Sequence, residues 1–208
     1  MRNGTPDERR KKRLRRRIQA IVIYTLIAIG LAWFFESQAT TTMIFVRHAE
    51  KALVPVDNPG LSPEGQARAR ELARQLVDAD VIAGIDAIYS TPFRRTMETA
   101  QPIADALGLE INTYDYDPEG DGEAVVDSMV RSHKGKIILV VGHSNTLPAM
   151  IADLGASKKV PPIAEYEYDN LYLISIPWFG KTKTIRLRYG APYTGEPAAD
   201  HAGNEMSK

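Results

Sequence analysis

Two histidines stand directly behind runs of apolar, β-prone residues. His48 follows Thr42–Val46 and Arg47, and His143 follows Lys136–Val141 and Gly142. A third run, Asp86–Tyr89, leads into Ser90, Thr91, Arg94 and Arg95. Imidazole can act as a nucleophile or a proton carrier near neutral pH. Arginine adds a planar fork of donors matched to phosphate or another tetrahedral oxyanion. Two histidines and at least two arginines on one rim would therefore suit a tetrahedral oxyanion. One histidine at a strand end is more often structural; the pairing of His48 with His143 carries the argument.

That rim requires the chain between these residues to form a sheet with its strand ends aligned. Strand and helix signals alternate as such a sheet needs. Thr42–Val46, Asp86–Tyr89, Glu110–Tyr114 and Lys136–Val141 read as short buried strands. Leu61-Ser62-Pro63-Glu64 opens a helix with Ser as cap and Pro in the first turn, and Ala69, Leu72, Ala73, Leu76 and Val77 form its apolar stripe. Further helices are expected over Pro92–Ala106, Glu123–His133 and about Thr146–Leu154. Tyr172–Ile176 and Thr184–Arg188 suggest a hairpin across Trp178-Phe179-Gly180. The chain from Ala191 is rich in Pro, Gly and Ala and reads as a tail. The expected fold is a three-layer α/β/α sandwich around a mostly parallel sheet, and ligands of such sheets bind beyond the carboxyl ends of the strands.

Four segments in order strengthen this reading. Phe45-Val46-Arg47-His48-Ala49-Glu50-Lys51 resembles the Arg-His-Gly signature of the histidine phosphatase superfamily, the phosphoglycerate-mutase-like enzymes. Leu61-Ser62-Pro63-Glu64-Gly65 resembles that family's Leu-Ser/Thr-x-x-Gly segment. Ser90 to Ala100 resembles its Ser-x-x-x-x-Arg-x-x-x-Thr-Ala stretch, and Val141-Gly142-His143-Ser144-Asn145 its second histidine block. The resemblance covers about residues 42 to 189. It implies His48 as the nucleophile that becomes a phosphohistidine, and Arg47, Arg95 and His143 as the groups that bind the phosphoryl oxygens. Thr99-Ala100 sets the register that selects Arg95 over Arg94. No metal and no other cofactor is implied; the partner is a small phosphorylated substrate. Two departures stand out. Ala49 replaces the usual Gly, and the Asn of many mutase-like members is missing near Leu53 and Val54, which favours a phosphatase over a mutase. The proton donor is not fixed by a motif: Asp117, Glu119, Asp121 and Glu123 all lie near the expected point, with Asp121 or Glu123 preferred. Helix capping is the competing role for those two.

Composition sets the outer bounds. The 208 residues are 44% hydrophobic and 25% charged, which suits one globular domain with accessory sequence. There is no cysteine, hence no disulfide framework and no thiolate chemistry. A net charge of zero hides an uneven distribution: residues 1–17 carry +7 and the remainder −7. Behind the basic cluster, Ile18–Phe35 contains no charged residue. As a helix, its 18 residues would span roughly 27 Å, close to a bilayer core of about 30 Å. Trp33, Phe34 and Phe35 sit where aromatic side chains favour the interface. These features predict a basic cytoplasmic tail (1–17), a transmembrane signal-anchor (18–35), a phosphatase domain (40–190) and a flexible C-terminal tail (191–208). The charge bias places the protein in the inner membrane with its domain in the periplasm. Ser37-Gln38-Ala39 offers a competing signal-peptidase site, and cleavage after Ala39 would leave a soluble periplasmic or secreted protein. A nucleic-acid-binding arm would not explain the apolar run.

Two other functions compete. Gly142-His143-Ser144-Asn145-Thr146 approaches a nucleophile elbow, which would make Ser144 a serine-hydrolase nucleophile, although Thr146 breaks the pattern. A non-catalytic anchored protein that binds a phosphorylated ligand would use the same pocket. The sequence fixes neither the substrate nor the oligomeric state.

Overall fold

The computed structural model describes residues 6–37, 40–78, 84–157 and 159–191. It divides into two compact units, Met1–Ala39 and Thr40–Lys208.

The first unit is one helix, α1 (Pro6–Ser37). Proline suits the first turn of a helix, and Asp7 and Glu8 meet the positive end of its dipole. The helix runs without a break from the basic residues into the apolar stretch, so the expected tail and span share one backbone. Arginine and lysine are good helix formers, which explains why the basic stretch joins in. Among the described residues it is the one helix long and apolar enough to cross a membrane, and none of its apolar window is buried. Thr25 donates its hydroxyl to the Ile21 carbonyl at 2.9 Å, which satisfies a polar group inside the apolar run. Gln38 and Ala39 of the suspected cleavage site lie outside the described residues, as do 192–208 of the expected tail, His201 among them.

The second unit holds a six-stranded sheet in the order β3-β2-β4-β1-β5-β6. Its strands are β1 (Thr40–Arg47), β2 (Ala87–Ser90), β3 (Ile111–Thr113), β4 (Ile137–Gly142), β5 (Asn170–Pro177) and β6 (Lys183–Arg188). The first four strands run parallel, while β5 and β6 are antiparallel to their neighbours. The sheet is therefore mixed, with the expected hairpin forming its antiparallel edge. Four helices complete the unit: α2 (Pro63–Asp78), α3 (Arg94–Leu107), α4 (Gly122–Ser132) and α5 (Leu147–Asp153).

Alternating β1 residues divide the core. Met43 and Phe45 pack with Val126 and Met129 of α4 and Leu147, Met150 and Ile151 of α5. Ile44 and Val46 pack with Leu72 and Ala73 of α2 and Ala100, Ile103 and Ala104 of α3. Helices thus cover both faces, and the central strands β1 and β4 read as unbroken apolar runs because both their faces are buried. β1 starts two residues earlier than its apolar run, because Thr40 and Thr41 pair with Pro177 and Ile176. α3 starts two residues later than expected, at Arg94, because Phe93 is still extended.

Two glycines bring helix and strand ends close together. A Cβ on Gly65 would collide with the Glu50 carbonyl, which lies in the segment after His48. On Gly142 it would lie 2.8 Å from the Tyr114 hydroxyl and 2.9 Å from Leu147 Cδ2. Gly65 lets α2 press against the segment after β1, and Gly142 lets α5 start directly behind β4.

Candidate active site

β1 and β4 lie side by side with Arg47 opposite Gly142. His48 and His143 therefore leave neighbouring strand ends. The ladder continues one step further, as the His48 backbone N–H donates to the Gly142 carbonyl at 3.0 Å. The two imidazoles face each other edge to face with their centroids 5.3 Å apart.

His48 is 4% exposed. Its Nδ1 lies 2.8 Å from the Ala49 carbonyl oxygen. A carbonyl only accepts, so Nδ1 carries the proton and Nε2 keeps its lone pair. Burial lowers the pKa of His48 to about 3, the Ala49 bond opposes this, and the charges of Arg47, His143 and Arg95 add to the lowering. A neutral ring with an available Nε2 is the form that can attack phosphorus. Ala49, where a Gly was usual, causes no strain: among the described residues only glycines have positive φ. Its N–H donates to Thr99 Oγ1 at 3.0 Å, and Thr99 in turn donates to the Arg95 carbonyl at 2.7 Å. One hydroxyl thus joins the nucleophile's loop to the turn of helix that carries Arg95.

Arg47 is 3% exposed, yet its guanidinium is only partly used. Nη1 donates to the carbonyls of Ala164 (2.7 Å) and Glu167 (3.2 Å), and Cζ lies 4.3 Å above the Tyr168 ring. Nε is buried without a partner. A buried donor with no acceptor is costly unless something else satisfies it. Arg95 stacks its Cζ 4.5 Å over the Phe93 ring and brings Nη2 to 3.4 Å from His143 Nδ1.

His143 is held from its other nitrogen. Nε2 lies 3.0 Å from Thr91 Oγ1, which lies 2.9 Å from Thr96 Oγ1. With Arg95 as donor to Nδ1, Nε2 carries the proton and donates to Thr91. Thr91 then donates to Thr96, and Thr96 donates to the Phe93 carbonyl at 2.7 Å. Burial first, then Arg95 and Arg47, lower the pKa of His143 to about 4. Phe93 closes the arrangement with its ring centroid 5.2 Å from that of His143.

The structure thus brings together His48, Arg47, Arg95 and His143. It does not do so for the carboxylates. Asp117, Glu119, Asp121 and Glu123 are exposed at the opening of α4. None of them has a hydrogen bond or ion pair to either histidine among the described residues. Asp121 occupies the N-cap position of α4 but makes no side-chain capping bond, so the expected capping role is one of position only. Asp117 Oδ1 accepts from the Glu119 N–H at 3.0 Å and shapes the loop. Arg94 is an exposed partner of Glu98 at 3.0 Å, and Glu98 accepts from the Leu61 N–H. Glu50 pairs with Arg68 at 2.7 Å. His133 caps the end of α4 and lies 3.0 Å from the Tyr89 hydroxyl. Among the described residues no histidine is hydrogen-bonded to Ser144, and the ring nitrogens of His143 serve Thr91 and Arg95. The sequence placed Thr91 on the rim without a role, and it used Thr99 only to set the register. Tyr168 had no distinguishing signal among the neighbouring tyrosines Tyr166 and Tyr172, and Phe93 stands in the Ser90–Ala100 stretch at a position that its motif leaves open.

Comparison with known proteins agrees with this geometry. The family model described as histidine phosphatase superfamily (branch 1) matches residues 43–116. The matched stretch, about a third of the chain, is similar to that superfamily. Phosphoserine phosphatase 1 of Hydrogenobacter thermophilus is 40% identical over 75 residues, which is 33% of this chain and 34% of that protein. The match thus spans about a third of the curated relative. Among solved structures, the protein histidine phosphatase SixA complexed with tungstate superposes with a TM-score of 0.58 at 18% identity, covering 71% of this chain and 96% of that one. A mycobacterial glucosyl-3-phosphoglycerate phosphatase with inorganic phosphate gives 0.53 at 15% identity, covering 72% and 97%. At such identities these two structures show a shared fold and nothing finer.

Proposed function

We propose that this chain is a phosphomonoesterase of the histidine phosphatase type that works through a phosphohistidine on His48. The observation that carries the reading is the His48 ring: neutral, buried, its Nδ1 proton committed to Ala49, its Nε2 free beside Arg47, Arg95 and His143. Nε2 attacks phosphorus, the ester P–O bond breaks, and the leaving oxygen takes a proton from Asp121 or Glu123. Water then attacks the phosphohistidine and gives a proton back to that carboxylate, the N–P bond breaks and phosphate departs. Arg47 and Arg95 hold the equatorial oxygens, and the His143 ring packs against the transferring group. Phosphoryl transfer demands chiefly positioning and charge stabilisation, and these residues supply both without a metal.

Rapid quenching during turnover should trap an acid-labile, base-stable phosphoenzyme, and His48→Ala should remove both the adduct and the activity. An adduct on Ser144, or ligand binding with no turnover at all, would refute the reading. EDTA should leave the rate unchanged. The substrate class is a small phosphorylated compound, in line with a relative named for phosphoserine.

The same proposal places the enzyme on a membrane. α1 anchors it in the inner membrane, with residues 1–17 cytoplasmic and the domain in the periplasm. Its length, its unburied apolar side chains and the basic residues before them support this. Alkaline carbonate should leave the protein in the membrane pellet. A mature N-terminus at Thr40 would instead indicate cleavage after Ala39 and a soluble exported enzyme.

A further inference from the structure

The amino end of the sheet carries an exposed aromatic and basic turn that the chemistry at the other end does not use. Thr40, the first residue of β1, pairs with Pro177, the last residue of β5. Beyond Pro177 the chain turns through Trp178 and Phe179, which are 59% and 89% exposed. No other large apolar side chain is as exposed as Phe179 among the described residues. Gly180 makes the turn with φ +121, and Lys181 and Lys183 follow, both exposed. Thr182 Oγ1 donates to the Leu154 carbonyl and the Ser157 N–H to Thr184 Oγ1, so residues 154–157 border the same turn, with exposed Lys159 close behind in sequence. Lys134 and Lys136 lie just before β4, where Lys136 pairs with Asp86. Of the described lysines after residue 39, all but Lys51 lie at this end, although the domain as a whole is acidic.

Only Gln38 and Ala39 separate the end of α1 from Thr40. Three peptide steps cover at most about 11 Å, a covalent limit that holds for any arrangement of the two units. If α1 spans a bilayer, the turn is tethered within reach of that bilayer's surface. Tryptophan and phenylalanine favour the interfacial layer, and clustered lysines are attracted to anionic headgroups.

We propose that Trp178 and Phe179, flanked by Lys159, Lys181 and Lys183, dock the amino end of the sheet onto the anionic membrane surface entered by α1. The inference rests on the anchored reading above. It has a consequence for the catalytic end: seven steps of β1 at about 3.3 Å place the strand end at Arg47 roughly 23 Å from Thr40. The His48 rim then faces away from the lipid and takes its substrate from the aqueous phase.

The test uses the full chain in vesicles of phosphatidylethanolamine and phosphatidylglycerol, 3:1, with single-tryptophan variants. In Trp33→Phe, Trp178 should be quenched by acyl-brominated lipid and shielded from aqueous iodide. Omitting phosphatidylglycerol, or adding Lys181→Glu and Lys183→Glu, should weaken the lipid quenching, by roughly fivefold in docking equilibrium per lysine. Turnover of p-nitrophenyl phosphate should persist in every variant, showing an intact domain. Trp178→Phe leaves Trp33 as the reporter of α1. Lipid quenching of Trp33 with none of Trp178 overturns the docking and spares the anchor; quenching of neither overturns the anchor itself. Val54→Trp in a Trp33→Phe/Trp178→Phe background reports the catalytic end, and lipid quenching there would mean the domain lies the other way up.

Discussion

Around His48 the site polar groups nearly all have assigned partners. The Nδ1 proton goes to Ala49, the backbone after it to Thr99, and the His143 proton passes through Thr91 and Thr96 to a carbonyl. At the opening of α4, four carboxylates within seven residues are exposed, and among the described residues only the Asp117 side chain of the four makes a hydrogen bond, to its own loop. The first region is preorganised: its groups stand in place before any substrate arrives. The second holds charge without fixed geometry. In phosphoryl transfer this division is reasonable, because the nucleophile and the oxyanion donors must be rigid, while a donor to the leaving group can swing in with the substrate.

The largest expected effect tests the rigid side. His48→Asn should reduce turnover of any phosphomonoester to background, whereas Asp117→Asn should leave it near normal. Rates for both variants against the parent would show whether the two regions are as unequal as their contacts suggest.

Next in size comes the proton donor. If Asp121 or Glu123 supplies the proton, its amide variant should lose about 10²–10⁴-fold on an alkyl phosphate. It should keep most of its rate on p-nitrophenyl phosphate, whose leaving group needs little protonation. Equal slowing of both substrates by Asp121→Asn and Glu123→Gln would return α4 to a purely structural role.

Removing one oxyanion donor is expected to cost about 10²–10³-fold in kcat. Arg47→Ala should fall in that range. Arg47→Lys should recover little, because a lysine cannot both satisfy the Ala164 and Glu167 carbonyls and present a fork. Recovery to near parent activity would mean the fork is not used.

Thr91→Val keeps the shape of the side chain but leaves the His143 Nε2 proton without an acceptor. A buried donor so stranded costs enough to predict about a tenfold loss in kcat/KM. The ring should also lose its fixed tautomer, visible as a change in the His143 ¹⁵N shifts. Thr91→Ser should restore both, which separates the hydrogen bond from packing.

How much of this could be read from the sequence follows the same division. Arg47, His48 and His143 could be placed on the rim because a strand end fixes where the next residue lies, and apolar runs such as Lys136–Val141 mark strand ends; Arg95 was separated from Arg94 only by the family resemblance through Thr99-Ala100. The mixed sheet was half visible: the hairpin across Trp178-Phe179-Gly180 was expected, but its attachment beside β1 is a long-range pairing that no local pattern encodes. The hydroxyl chain of Thr91, Thr96 and Thr99 could not be read, since a threonine's partner depends on which helix packs above it. The acid stayed unassigned for the opposite reason: all four candidates have the right chemistry, and no described contact holds any of them against the histidines.

The smallest effect expected is on the pH dependence, and it bears on whether the rigid half is neutral. In the folded protein the pKa values of His48 and His143 are lowered to about 3 and about 4 from an ordinary 6.5. Between pH 7 and 5 both rings should stay neutral, so kcat/KM should change little once the substrate's own second ionisation, near pH 6, is allowed for. An acidic limb at 6.5 from the enzyme would mean that one ring is protonated in the free site. Stability should respond even where activity does not. With folded pKa values below those of the unfolded chain, the unfolded state binds protons first. The contribution is constant above about pH 6.5 and is lost as the pH falls toward 4 and 3, by up to about 1.4 kcal/mol per unit for each ring. Urea midpoints should therefore fall from pH 7 to pH 5, and the fall should shrink in His143→Gln, which removes one of the two titrating groups. A midpoint that drops as steeply in that variant would assign the acid sensitivity to other groups and mean that His143 titrates no lower in the folded chain than in the unfolded one.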